Sequence, residues 1–159
     1  MNAMKNTKER NDELISRAYG LFTDKNKQDK LNSKYAAGMF VKDKDAEGKV
    51  VMTDFIDDAY SSKIAAFSVS VAMIGLKPTL VMYYEKAGAS VDTRNIVGLI
   101  AEMLSKDGYP VKNDPAKWLI DYAVVSKPEN VESITQDVID NAVALKVVVR
   151  TFLKNQSYE

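Results

Sequence analysis

The chain has 159 residues, and its 22 lysines and arginines balance 22 aspartates and glutamates, so its formal net charge is zero. It contains no histidine and no cysteine, which excludes a thiol nucleophile, a Ser-His-Asp triad, a haem ligand and an ordinary zinc site. General acid–base chemistry would rest on carboxylates, lysine or tyrosine alone, so the composition argues against an enzyme. The length and the 46% hydrophobic content suit a single domain over residues 1–159.

The first residues, MNAMKNTKERNDE, are polar and charged and lack the apolar segment of a secretory signal. The most apolar stretch, Ile64 to Tyr84, is interrupted by Lys77-Pro78, which favours two buried helices over a membrane span. We therefore expect a cytoplasmic protein that does not contact a membrane. Residues 1–7 are expected to be disordered and residues 155–159 frayed.

Only 7 glycines and 4 prolines interrupt the chain, and apolar residues recur at spacings of three and four. This pattern predicts an all-α domain, a bundle of six or seven helices. The first helix is expected from about Lys8 to Phe22 and the second from about Lys30 to Phe40, with a polar linker over residues 23–30 between them. The helical pattern then stops, and a charged loop or short hairpin is expected around Glu47-Gly48.

Thr53 or Asp54 is expected to cap the third helix, which carries Phe55 on its inner face and ends at Gly75. Its middle has almost no charge, so this helix is predicted to form the centre of the domain. The later predicted boundaries are a fourth helix from about Lys77 to Lys86, a fifth from Asp92 to Gly108, a sixth from Asp114-Pro115, and a last from about Pro128 to Lys154.

The charged segment resembles an EF-hand calcium loop. Asp43, Asp45 and Glu47 supply oxygen donors at the first, third and fifth positions, and Gly48 falls at the tight turn. The twelfth position is Asp54, where this loop normally needs a glutamate that binds with both oxygens. The alternative is a charged surface loop without a metal.

Basic residues form a pattern on the last predicted helix. Lys146, Arg150 and Lys154 lie at i, i+4 and i+8, so one helix face carries three positive charges. They could bind phosphate or an acidic partner, or simply complement the negative end of the helix dipole. A sparser second set lies on the third and fourth helices: Lys63, Lys77 and Lys86.

Two stretches carry a resemblance to a known family. The stretch AYSSKIAAFSVSVAMIGLKPTLVMYYEK resembles the signature region of the small helical subunit of the Cmr complex, the type III-B CRISPR effector. Tyr60, the Gly75-Leu76 turn, Leu80 and Tyr83-Tyr84 take the signature positions.

The second stretch, AVALKVVVRTF, resembles the family's C-terminal signature, in which Arg150 and Phe152 end an Ala-Leu-rich helix. Arg17-Ala18-Tyr19 is compatible with the family but less specific. The segment from Val41 to Thr53 departs from it, since it is longer and more charged than the family's usual link.

The resemblance implies a subunit without activity or cofactor of its own. Such subunits stack as copies into a minor filament beside other effector subunits and help hold guide RNA and target RNA during antiviral defence. A stand-alone EF-hand-like calcium-binding protein is the alternative.

Overall fold

The computed structural model describes residues 6–23, 34–85, 91–126, 129 and 131–153. The predicted linker, apart from Thr23 at the end of the first helix, lies outside the described residues, as do Lys86, Lys154 and most of the two predicted termini. Within the described ranges the chain is mainly helical with one two-stranded sheet, so the all-α prediction is only partly right.

The described α-helices are named here in chain order: α1 (Thr7–Thr23), α2 (Lys34–Ala37), α3 (Asp58–Ile74), α4 (Leu76–Tyr84), α5 (Arg94–Leu104), α6 (Pro115–Ile120) and α7 (Val131–Val149). The strands β1 (Phe40–Lys44) and β2 (Val50–Ile56) form an antiparallel hairpin between α2 and α3. Short 3₁₀ turns follow α5 and α7, and a π-helical turn follows α6.

The second predicted helix does not reach Phe40. Helix α2 ends at Ala37, and Met39 turns the chain by donating its N–H to the Ala36 carbonyl. The Met39 carbonyl then accepts the N–H of Asp57, so this segment is drawn into the hairpin and Phe40 begins β1. Met39 and Phe40 are buried as a helix would have buried them, but by pairing across the hairpin.

The predicted cap of the third helix is also wrong. Thr53 and Asp54 lie in β2, where the Thr53 hydroxyl donates to the Val41 carbonyl. Helix α3 is capped instead by Asp57, whose carboxylate accepts the Ala59 N–H. Phe55, predicted to face inward, is on the strand and 44% exposed.

The centre of the fold is α5 rather than α3. Helix α5 buries eight of its eleven residues and contacts α2, α4, α6 and α7. Its Gly98 lies so close to the Tyr35 ring that a Cβ atom would fall 2.3 Å from it. Helix α3 buries one face against α4 and α7 and leaves Met73 78% exposed. The low number of charged residues in α3 therefore did not indicate that the whole helix is buried.

Other predicted boundaries are confirmed. Helix α3 ends at Gly75, whose φ of 99° favours glycine, and α4 follows at once. The 3₁₀ turn after α5 ends at Gly108, and Asp114 caps α6 through its side chain. The predicted cap of α5 is one residue off: the N-cap is Thr93, and Asp92 before it accepts the Arg94 N–H.

The last helix is shorter than predicted. Helix α7 ends at Val149, and Arg150–Phe152 form a 3₁₀ turn. Leu153 is extended and makes a parallel bridge to Ile56 in β2. Since Ile56 precedes α3 and Leu153 follows α7, these two helices pack as antiparallel neighbours. Among the described residues, the model has no helix long and apolar enough to cross a membrane.

Candidate functional site

The predicted basic stripe lies where α7 ends. Lys146 is half-buried in the last turn of the helix, and Arg150 is exposed at the start of the 3₁₀ turn. The helix stops before Lys154, so the predicted i, i+4, i+8 row is described only for its first two members. Within the described ranges, neither Lys146 nor Arg150 forms an ion pair.

Arg10 of α1 contacts two acidic residues of α7. The Asp137 carboxylate accepts a hydrogen bond from the Tyr109 hydroxyl at 2.7 Å, and a guanidinium nitrogen of Arg10 lies 3.5 Å from it. The same guanidinium lies 3.8 Å from Asp140. The acids in the first half of α7 therefore pair with an arginine of α1, whereas the basic residues at its C-terminal end have no ion pair among the described residues.

Arg17 anchors α1 from within the protein, a role that spacing alone did not indicate. Its side chain is only 5% exposed and donates to the Met103 carbonyl and to Asn141 Oδ1, at 3.2 and 3.0 Å. It also lies 3.1 Å from Asp107, which accepts from Arg10 at 2.8 Å. Its helix face also carries Glu13, which lies 3.4 Å from the Arg17 guanidinium, so the local sequence gave no signal of this role.

The pKa values of Asp107 and Asp137, the two carboxylates that Arg10 contacts, are shifted in opposite directions. Burial raises the pKa of Asp107, but hydrogen bonds from Arg10 and Asn141 and the charge of Arg17 outweigh it, so that pKa is lowered. Burial raises the pKa of Asp137, and the Tyr109 hydrogen bond only partly offsets this. The anchor therefore holds Asp107 firmly in its charged form.

The second basic set lies on the α3–α4 helical hairpin. Lys63 is exposed on α3, where its carbonyl accepts the Tyr83 hydroxyl at 2.7 Å, and Lys77 is half-buried in the first turn of α4. From Ala59 to Tyr84 the sequence has no acidic residue. We call the following exposed apolar residues of this hairpin the α3–α4 face: Val69, Met73, Ile74, Val81 and Met82.

The candidate calcium ligands lie on a β-hairpin, one of the two forms expected for this segment, and not in the helix–loop–helix of an EF-hand. Asp43 is in β1, Asp54 is in β2, and Glu47 is in the turn between them. The Asp45 carboxylate closes that turn by accepting the N–H groups of Glu47 and Lys49, both at 2.9 Å. Over the described ranges, no three acidic side chains gather in a group that could hold a metal ion.

A small polar cleft lies between α2 and the starts of α5 and α6. Its charged groups bind one another: Arg94 contacts Asp92 at 2.7 Å, and Asp114 accepts the Tyr35 hydroxyl while capping α6. The Lys34 ammonium lies 5.2 Å from the centre of the Tyr35 ring. The bond between Tyr35 and Asp114 joins α2 to the start of α6, and the other contacts pair the charges locally.

Comparisons with known proteins identify no relative: no family model, no curated protein and no solved structure matches the chain. A function must therefore be argued from the residues described above.

Proposed function

We propose that the chain is a non-catalytic subunit of an RNA-guided type III-B CRISPR interference complex. It stacks with copies of itself and with other effector subunits in the cytoplasm and helps hold guide RNA and target RNA. No cofactor is needed for this role.

The observation that carries the proposal is the form taken by the two signature stretches. The first forms α3 and α4, joined at Gly75 and closed by a hydrogen bond of 2.7 Å between Ser70 and Thr79. Its outer side is the α3–α4 face, with Met73 78% and Met82 55% exposed. Exposed apolar surface of this kind is typical of proteins that bury it against partners.

The second signature stretch forms the basic end of α7. Arg150 is exposed there and can bind a phosphate through two parallel hydrogen bonds, while Lys146 acts as a point charge one turn earlier. Because α7 packs antiparallel to α3, these charges lie on an element that borders the helical hairpin. An exposed apolar surface on one element and available cations on a neighbouring one suit a subunit placed between protein neighbours and RNA.

The proposal can be tested by purifying the tagged chain from its native host. Guide RNA and larger effector subunits should co-purify with it. Replacement of all three stripe residues by alanine, K146A, R150A and K154A, should leave assembly intact but release target RNA at lower salt. Each phosphate contact to a single strand contributes about 0.7 to the slope of log affinity against log salt, so three contacts should flatten that slope by about 2.

A matched control removes three exposed lysines elsewhere, K8A, K106A and K112A, and should retain target RNA as the wild type does. If the purified chain carries neither guide RNA nor effector subunits, the proposed function is wrong. If the complex forms but the stripe variant keeps the wild-type salt dependence, the stripe does not contact RNA.

A further inference from the structure

The β1–β2 hairpin has two edges that differ in chemistry. It is a two-stranded sheet, and isolated hairpins of this size are marginally stable in water. Each edge presents main-chain N–H and C=O groups that a further strand could bind. The hydrogen bonds at the turn show which residues direct their N–H and C=O groups toward each outer edge.

The turn determines which groups point outward. The Asp45 N–H donates to the Lys49 carbonyl at 2.9 Å, so these two residues face each other as the closing bonded pair. Bonded and non-bonded pairs alternate along an antiparallel ladder, and Asp43 opposite Val51 is the next bonded pair. Val50 and Met52 therefore direct their N–H and C=O groups outward from β2.

The outer edge of β1 is protected. The outward N–H of Lys44 is already bonded to Asp43 Oδ1 at 2.8 Å, and charged side chains occupy residues 42–44. Lysines on an edge strand are a common protection against unwanted pairing. The outward N–H groups of Val50 and Met52 have no such partner among the residues that the structure describes.

The edge of β2 is apolar and is already used at one end. Val50 is 57% and Phe55 44% exposed, and Val51 lies between them. At the far end of the strand, Ile56 bridges to Leu153. An added segment can therefore pair with this edge, and none of the described residues pairs with the outer side of the stretch from Val50 to Met52.

We propose that the open edge of β2 binds an extended segment of a partner protein as a third strand. A polypeptide backbone supplies the alternating donors and acceptors that this edge requires. The charges of the hairpin disfavour a nucleic acid, since lysines at 42, 44 and 49 are outnumbered by acids at 43, 45, 47 and 54. The proposal does not depend on the CRISPR function.

The probe for this site is a capped peptide, Lys-Val-Thr-Val-Thr-Val-Lys, added to the isotope-labelled full chain and followed by NMR. Saturable binding should shift the amide signals of Val50 and Met52 and slow their hydrogen exchange. V50P removes an outward N–H that the hairpin does not use, so it should weaken binding roughly tenfold or more. K44P removes the outward N–H of the residue opposite Val50, which already donates to Asp43 Oδ1. It should leave binding within about twofold.

V51K, which leaves the main chain unchanged and places a lysine on the edge, should weaken binding as V50P does. The same peptide methylated on alternate amide nitrogens should not bind. The proposal is overturned if no saturable binding occurs, if the methylated peptide binds equally well, or if V50P and K44P have equal effects. A concentration-dependent dimer of the chain that V50P abolishes would also overturn it, because the occupant would then be a second copy.

Discussion

At the scale of single residues, the arginines of α1 connect parts of the chain that are far apart in sequence. Arg17 reaches Met103 and Asn141, and Arg10 reaches Asp107 and Asp137. Both guanidinium groups meet at Asp107, whose side chain is 10% exposed. A carboxylate held by two arginines in this setting is costly to remove, because it leaves their charges without compensation.

D107N should therefore lower the free energy of unfolding by roughly 2–3 kcal/mol at pH 7. The amide keeps an acceptor for one arginine but loses the charge that attracts both. Urea denaturation measures the change. D12N, at an exposed position of α1, is the matched control and should stay within about 0.5 kcal/mol of the wild type.

The same variant gives a pH dependence with a defined sign. The pKa of Asp107 is lowered in the folded chain, so its stabilising contribution is present above the unfolded value of about 3.9 and is lost as pH falls through the folded value. The wild type should therefore lose more stability than D107N between about pH 4 and pH 2, and the difference between the two proteins should narrow. Urea denaturation at each pH measures it. Equal losses in the two proteins would contradict this assignment.

At the scale of elements, the hairpin and α3 meet at Asp57. This residue donates its N–H to the Met39 carbonyl and accepts the Ala59 N–H, so it ends the hairpin region and begins the helix. An N-cap side chain satisfies a main-chain donor that no helical carbonyl can reach. Asp57 therefore both caps α3 and binds Met39, in the turn that follows α2.

D57A should destabilise the chain by about 1 kcal/mol, the usual cost of losing an N-cap. D54A, at the position that the sequence pattern favoured as the cap, should leave the helix start unchanged because Asp54 lies in β2. Thermal melts give the free-energy change, and amide exchange at Ala59 locates it. A larger effect from D54A than from D57A would place the helix start at Asp54.

The sequence predicted helix boundaries where a local residue decides them. Gly75, Gly108 and Asp114 mark ends and starts through their own backbone freedom or side chains, and all three were identified. A loop or short hairpin was expected around Glu47-Gly48, but the extent of the strand from Val50 to Ile56 was not, because it depends on pairing with β1. The same applies to the end of α7, where the helical pattern continues but the pairing of Leu153 with Ile56 ends the helix.

The residues of the candidate site were also predicted only in part. Four-residue spacing identified Lys146 and Arg150, which do lie together at the end of α7. The calcium loop was proposed as an alternative because its residue types recur at EF-hand spacing, but Asp43 and Asp54 lie on different strands. Arg17 was noted only for its resemblance, since nothing in its neighbours shows that Met103 and Asn141 lie beside it in space.

At the scale of the whole molecule, the number of charged residues in a helix does not predict how deeply that helix is buried. Helix α5 is buried by surrounding helices, whereas α3 has a smaller share of charged residues but keeps one face exposed. Substitutions on that exposed face should therefore affect binding to partners rather than folding. Position 73 is the clearest case, because its side chain is 78% exposed.

The double variant V69S/M73S should change the free energy of unfolding by less than about 0.5 kcal/mol. It should nevertheless reduce incorporation into the effector complex, since two apolar contacts of the α3–α4 face are removed. I64S, on the buried side of the same helix, should instead unfold the chain. Denaturation and co-purification distinguish the two effects. Full incorporation of V69S/M73S would show that the α3–α4 face is not the contact surface.

The anchoring of α1 has a consequence for how the chain is made on the ribosome. Arg17 and Asn141 are 124 residues apart, so the first helix emerges long before the residues that hold it. At synthesis rates of about 5–20 residues per second, α1 waits roughly 6 to 25 seconds for α7. During that interval the surface of α1 that carries Leu14, Ala18 and Phe22 lacks the cover of α7, although Phe40 is made early enough to contact Phe22. The nascent first helix should therefore stay accessible to chaperones until α7 has been made.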